Sequence, residues 1–359
     1  MPNLNTRAVS MGVVAVVVVL LAAVVLVGAG VIRPFGLGRS EFASAVARTP
    51  AGTERVSWTD WAGVRRELGS KVDARSDTEA LGAFLDDGYD ADLTSRSALL
   101  QSAPALQTSF GFSPASVEWE LFSQSRDGAV ITLRMPDETN FADLGDRLEE
   151  LGYPRPDSET GVWAGGPDLL ASISPRLTPE LAHLVLDADE NLVMASDEED
   201  FLETAVRSTA GDGDRVDGLD AVADALEEPL SAAVYAGDYA CGALAMAQAD
   251  DDDQAQAAEL TAAAGTVDPY LAFSMGVRSG GDVRVAMQFA NDDQARTNAD
   301  SRAILAVGPA VGQGGDFADR FTLRSARADG SLVTLELRPA EGQYVLSDLS
   351  SGPVLFATC

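Results

Sequence analysis

The chain of 359 residues has little of what catalysis and nucleic-acid binding draw on: one lysine, Lys71, one histidine, His183, and two cysteines, Cys241 and Cys359. A Ser-His-Asp relay could pass only through His183, and Leu181-Ala-His-Leu-Val-Leu186 sets that residue in an apolar segment, where a packed structural histidine is expected. Lys71 stands among polar residues, without the apolar enclosure that activates a Schiff-base lysine. Two cysteines and one histidine are too few to close a Cys/His zinc site. The Gly-x-Ser-x-Gly, Ser-x-x-Lys, His-Glu-x-x-His and phosphate-binding glycine patterns are missing, which removes the common nucleophilic, zinc and nucleotide chemistries. No catalytic, cofactor-binding or metal-ligating residue is assigned, and no cofactor is expected.

Positive charge is equally scarce, with 25 Lys and Arg against 56 Asp and Glu. Every acidic residue lies after residue 40 with 22 of the basic ones, so that part carries 22 − 56 = −34. Nucleic acid and anionic headgroups are disfavoured as partners. Aromatics make up only 6% of the chain, but a hydrophobic fraction of 46% supplies a core and separates this sequence from disordered acidic tails. The preference for arginine over lysine, beside many Ala and Gly, fits a GC-rich genome; abundant Asp with almost no Lys also fits a high-salt habitat.

What the sequence does contain is one long apolar run, Ala8 to Ile32, of 32 − 8 + 1 = 25 residues. At about 1.5 Å per residue such a helix crosses a hydrocarbon core of about 30 Å. Its β-branched centre is a poor helix former in water, but in lipid the backbone must bond to itself and helix remains. A cleaved signal peptide has a shorter apolar stretch with a small-x-small site close behind; Ala45-Val-Ala47 lies well past the end of the run. Arg7 on one flank against Arg33 and Arg39 on the other leaves orientation unsettled. A long domain translocates regardless of its charge, and Cys241 and Cys359 read as a disulfide pair, so residues 1–7 are expected in the cytoplasm and the chain beyond residue 33 outside. On the chain-entropy view that bridge stabilises by roughly 4 to 5 kcal/mol.

After the span, 33–50 reads as a Gly/Pro-containing linker. Ser57-Trp-Thr-Asp60 and Ser76-Asp-Thr-Glu79 have the form of helix capping boxes ahead of apolar residues at helical spacing, and a third helix is expected over Ala91 to Gln101. The period then shortens to two: Val117, Trp119 and Leu121 face Ile131, Leu133 and Met135 across Asp127-Gly128, and Asp137 to Asn140 opens a helix with Phe141, Leu144, Leu148 and Leu151 on one side. The same order recurs at Leu184 to Val206 and at Leu271 to Val307, and a fourth hairpin turns at Asp329-Gly330. Asp329-Gly-Ser-Leu-Val-Thr-Leu335 matches Asp127-Gly-Ala-Val-Ile-Thr-Leu133 at four positions, which points to duplicated ββα units. The expected fold is α+β, with antiparallel hairpins and packed helices, in two ectodomains spanning 51–212 and 213–359.

Carboxylates are plentiful. Asp187, Asp189, Asn191 and Glu198 have EF-hand spacing, but Leu192 stands where the loop needs glycine and a strand enters instead of a helix, so a hairpin turn followed by a helix cap is expected. Asp212, Asp214, Asp217 and Asp220 read as a solvated linker, and Asp250 to Asp253 as a solvated face.

An N-terminal anchor, then Thr49-Pro-Ala-Gly-Thr-Glu-Arg-Val-Ser-Trp-Thr-Asp-Trp61, then an acidic ectodomain ending in cysteine resembles the actinobacterial membrane-anchored extracytoplasmic proteins of unknown function. The resemblance implies a location and no activity. The expected partners are the lipid bilayer, through Ala8 to Ile32, and an unidentified envelope protein or polymer. The expected function is a non-enzymatic binding or structural envelope module; the alternative is a carboxylate-dependent hydrolase of envelope polymers.

Overall fold

Short apolar segments separated by Asp- and Gly-containing turns fold back on one another throughout the computed structural model, which describes residues 39–211 and 216–359. The expected anchor Ala8–Ile32, the tail before it and the spacer up to residue 38 lie outside the described residues. Among the described residues no helix is long and apolar enough to cross a membrane.

Helix α1 (Glu41–Val46) leads to β1 (Arg55–Thr59), α2 (Trp61–Glu67) and α3 (Thr78–Asp90). The hairpin of β2 (Trp119–Gln124) and β3 (Ala129–Arg134) is followed by α4 (Phe141–Leu151), β4 (Trp163–Ala164) and α5 (Gly166–Ile173). A second hairpin, β5 (His183–Asp187) and β6 (Leu192–Ser196), runs into α6 (Glu199–Thr209) and then α7 (Leu219–Leu226). Next come β7 (Ser231–Ala236), α8 (Gly237–Ala243) and α9 (Asp251–Ala264), and the third hairpin, β8 (Ala272–Val277) and β9 (Val283–Gln288). Helix α10 (Asp292–Leu305), the hairpin of β10 (Phe321–Asp329) and β11 (Leu332–Pro339), and α11 (Val345–Leu349) complete the order.

Three local expectations change. Glu41–Val46, assigned to the linker, is a helix with Phe42 and Val46 buried; six residues are too few for helical periodicity to show. Ser57 lies within β1, and the cap of α2 is Asp60, which accepts from the Gly63 amide at 2.7 Å. The helix expected over Ala91–Gln101 does not form, because Asp92 takes φ 59° and turns its carboxylate to the Leu346 and Ser347 amides, at 2.7 and 3.1 Å, at the start of α11. Helical geometry resumes at Ala103, with Leu106–Phe110 wound as a π-helix.

The eleven strands form one antiparallel sheet in the order β10-β11-β9-β8-β7-β1-β2-β3-β6-β5-β4. This is the α+β, antiparallel architecture expected. The boundary expected at 212/213 falls at residues 212–215, outside the described residues; strands from either side of it meet where β1 pairs with β7, within a unit spanning Glu41–Cys359. The registers on the two sides of that seam correspond. Ser57 faces Ala233 across it; Phe122 lies beside Ser57 as Met275 lies beside Ala233, and the row Leu121, Thr132, Met194 repeats as Ser274, Ala286, Thr334. Thus β2 and β3 answer to β8 and β9, and β6 to β11. The sequence match of 127–133 with 329–335 joins β3 to β11, which occupy different places; Asp-Gly before a β-branched strand is common hairpin chemistry.

Alternation divides the sheet into a front and a back. Ala233 and Tyr235 of β7 point into the main core with α2, α3, α4 and α10, whereas Ala232 and Val234 point back, toward α1 and α7. Helix α6 covers the back of β3, β5 and β6. In the front core Arg302 of α10 is wholly buried, and its guanidinium donates to the carbonyls of Phe356 (2.7 Å), Thr358 (2.9 Å) and Asp268 (2.7 Å) while lying over the rings of Tyr270 and Phe289. Burial pushes its pKa down to about 10, still well above neutral pH. Arg302→Met removes these donors and strands buried carbonyls, so we expect a loss on the order of 3 kcal/mol, read as a lower urea midpoint with an unchanged slope. An unchanged midpoint would show that the tail holds without this cation.

Candidate functional site

The two sides of the seam differ on the back of the sheet. Helix α7 precedes β7 as α1 precedes β1, and the two helices pack against each other. Helix α7 also lies down on β8 and β9, over Ala272, Ser274, Gly276 and Ala286, whose small side chains admit a helix at close range. The corresponding positions of β2 and β3 are Trp119, Leu121, Ser123 and Thr132. There α1 stops after six residues. A cleft of about 150 Å³ remains between α1 and the segment after it on one side and α6 on the other.

Its floor is Trp119, Leu121, Ser123, Thr132 and Leu192; Ala45 and Pro50 form one wall, Ala205 and Thr209 the other. Trp119 continues an aromatic row from Phe42 through Trp58, with ring centres 5.3 and 5.1 Å apart, so the indole is held in place from behind. Charges of both signs stand at the mouth: Arg48 pairs with Glu190 at 3.2 Å, while Arg134 donates to the Glu190 carbonyl at 2.5 Å and to Asp137 at 2.9 Å. The hydroxyls of Thr49 and Thr209 bond to backbone carbonyls one turn back, at 2.9 Å each. Those of Ser123 and Thr132 make no hydrogen bond among the described residues, although Ser123 is only 1% exposed.

The residues singled out from sequence fall elsewhere. Cys241, in α8, and Cys359 form a disulfide with Cα atoms 5.7 Å apart, tying the C-terminal segment beneath the front core; that segment is a 3₁₀ turn at Leu355–Ala357. Asp187 accepts from the Glu190 amide at 3.0 Å in the β5–β6 turn, while Glu198 precedes α6 at the opposite end of β6, so these acids do not converge. Asp250 caps α9 through the Asp253 amide, and Asp251 to Asp253 occupy its first turn, where the helix dipole favours negative charge. Among the described residues, no three His, Cys, Asp or Glu side chains are grouped to hold a metal ion; Asp212 and Asp214 lie outside them. His183 is half-buried at the start of β5, and Lys71 is exposed.

Sequence reading missed two buried carboxylates, because neither spacing nor neighbours mark them. Glu120 of β2 accepts from the Trp61 indole at 3.0 Å, the Ser97 hydroxyl at 2.6 Å and the Ala98 amide at 2.6 Å. Burial outweighs these donors and pushes its pKa up to about 7; the same cause raises Asp92 to about 6, against its two amide donors. Both groups tie loops to the front core, and neither lines the back cleft.

Comparison of the chain with protein-family models, with curated proteins and with solved structures finds no match. The site stands on its own geometry.

A carboxyl whose folded pKa is raised binds its proton more tightly in the folded state, so its contribution is full below the unfolded value and is lost as pH rises through the folded one. For Glu120 that window runs from its unfolded value of 4.5 to about 7. The melting temperature should fall between pH 5 and pH 7.5 more steeply in the native chain than in Glu120→Gln. Parallel slopes would show that Glu120 titrates as an ordinary surface carboxylate.

Proposed function

We propose that this chain is a single-pass membrane-anchored extracytoplasmic protein whose ectodomain binds an envelope protein or polymer through the back cleft, without chemistry of its own. The cleft is the observation that carries the binding reading. It opens where the corresponding place across the seam is filled by α7, and its floor combines a braced indole with unpartnered hydroxyls. The correspondence of strands supports a duplicated ancestral unit, with the first copy opened for a ligand and the second closed for stability. Location outside the cytoplasm is supported by the apolar run Ala8 to Ile32 and by the disulfide, since such bridges persist in oxidising compartments. The acidic surface disfavours anionic partners.

Two measurements address location. Protease added to intact cells should remove the ectodomain, and full protection would reverse the orientation. Unreduced Cys241→Ser should migrate more slowly than the native chain on denaturing gels; identical mobility would mean that the bridge is absent in the cell. For binding, Ala205→Trp places an indole in the cleft, and the envelope component recovered with the native chain should be lost from this variant. Equal recovery with both would remove the cleft from the reading.

A further inference from the structure

The cleft also constrains the chemistry of what fills it. A cavity of about 150 Å³ is the size that accepts one six-membered ring. A hydrocarbon ring would satisfy Trp119, Leu121 and Leu192 but would leave the hydroxyls of Ser123 and Thr132 buried without partners, at a cost for each. A charged ring meets Arg48 and Glu190 together at the mouth, and an anion must also approach a strongly acidic molecule. A neutral ring with one apolar face and a hydroxylated edge meets all three conditions. Its C–H face lies against the indole, its inner hydroxyls reach Ser123 and Thr132, and its outer ones reach Arg48 and Glu190. We propose that the cleft is a subsite for a single neutral pyranose unit, the terminal or side-chain sugar of an envelope polymer. This rests on the reading of the cleft as the binding site.

The test uses the full chain extracted in a polyoxyethylene detergent, so that no sugar headgroup competes. Methyl β-D-glucopyranoside, methyl α-D-mannopyranoside and the methyl glycoside of N-acetylglucosamine are titrated while tryptophan emission and ligand saturation-transfer NMR are recorded; benzene and cyclohexanol form the comparison arm. At least one glycoside should bind, with saturation transfer strongest on its ring C–H protons. Ser123→Ala and Thr132→Val should each weaken that glycoside about five-fold without moving the melting temperature of the protein. Ala205→Trp should abolish binding, and Ser123→Ala, which only deletes a hydroxyl, keeps the test valid if the larger side chain disturbs folding. Benzene or cyclohexanol binding where no glycoside binds would overturn the sugar assignment and leave the cleft as a site. Failure of every probe would overturn both readings. Glycoside binding untouched by Ser123→Ala and Thr132→Val would place the sugar elsewhere and overturn the proposal.

Discussion

The backbone pairing of β1 with β7 is the constraint on which the rest depends. β1 has five residues, and each is registered on both sides, to β2 and to β7. Remove it and the sheet becomes two sheets, each with an open edge. The seam is reinforced beyond its ladder: Asp60 donates to the Leu230 carbonyl at 2.8 Å, Ala236 to Glu54 at 2.9 Å, and the Trp58 indole to Pro229 at 3.0 Å. It also carries a cost. Thr59 and Ser231 face each other across it with buried hydroxyls that find no partner among the described residues, and each such group costs roughly 1 to 3 kcal/mol. Continuity of the sheet outweighs that penalty because β1 and β7 are the innermost strands, with apolar layers on both faces.

The cleft follows from the seam. Two halves with corresponding registers offer two equivalent places for a helix on the back, and the side chains beneath decide the outcome. Ala, Ser, Gly and Ala on β8 and β9 let α7 settle; Trp119, Leu121, Ser123 and Thr132 on β2 and β3 stand too tall for the same approach. A binding site thus arises from packing before any recognition chemistry is considered. The buried titratable groups lie away from it: Glu120, Asp92 and Arg302 each fasten a loop or a tail to the front core.

What could be read in the sequence was whatever turns and caps punctuate. The four hairpins, as strands joined by polar turns, and helices α4, α6 and α10, with Asn140, the acidic first turn from Glu199 and Asn291 at their starts, were legible; the single buried face expected of the first hairpin was not found, because Trp119 and Leu121 face the back while Ile131 and Leu133 face the front core. The Cys241–Cys359 pair was legible too. The innermost strands were not. Arg55-Val-Ser-Trp-Thr59 does alternate, but it is only five residues long and Ser57-Trp-Thr-Asp60 has the form of a helix cap, which claimed the segment; Ser231-Ala-Ala-Val-Tyr-Ala236 has side chains too small to announce a strand. The cleft is the place where a helix does not lie, and no local pattern of Trp119, Ser123 and Thr132 encodes a missing neighbour. Arg302 was hidden for a related reason, since the three backbone carbonyls it bonds lie more than thirty residues away.

The burial of Val354 to Ala357 has a consequence in time. Val354, Leu355 and Phe356 are fully enclosed in the front core, and the Arg302 guanidinium and the Tyr270 hydroxyl bond to carbonyls of the same stretch. A chain made from its N-terminal end can pair β1 with β7 once Ala236 has emerged, but the front layer stays unsealed until Val354 to Phe356 arrive. Until then the molecule is a sheet with an unsealed apolar front, and its dependence on chaperones is greatest just before Val354 to Phe356 emerge.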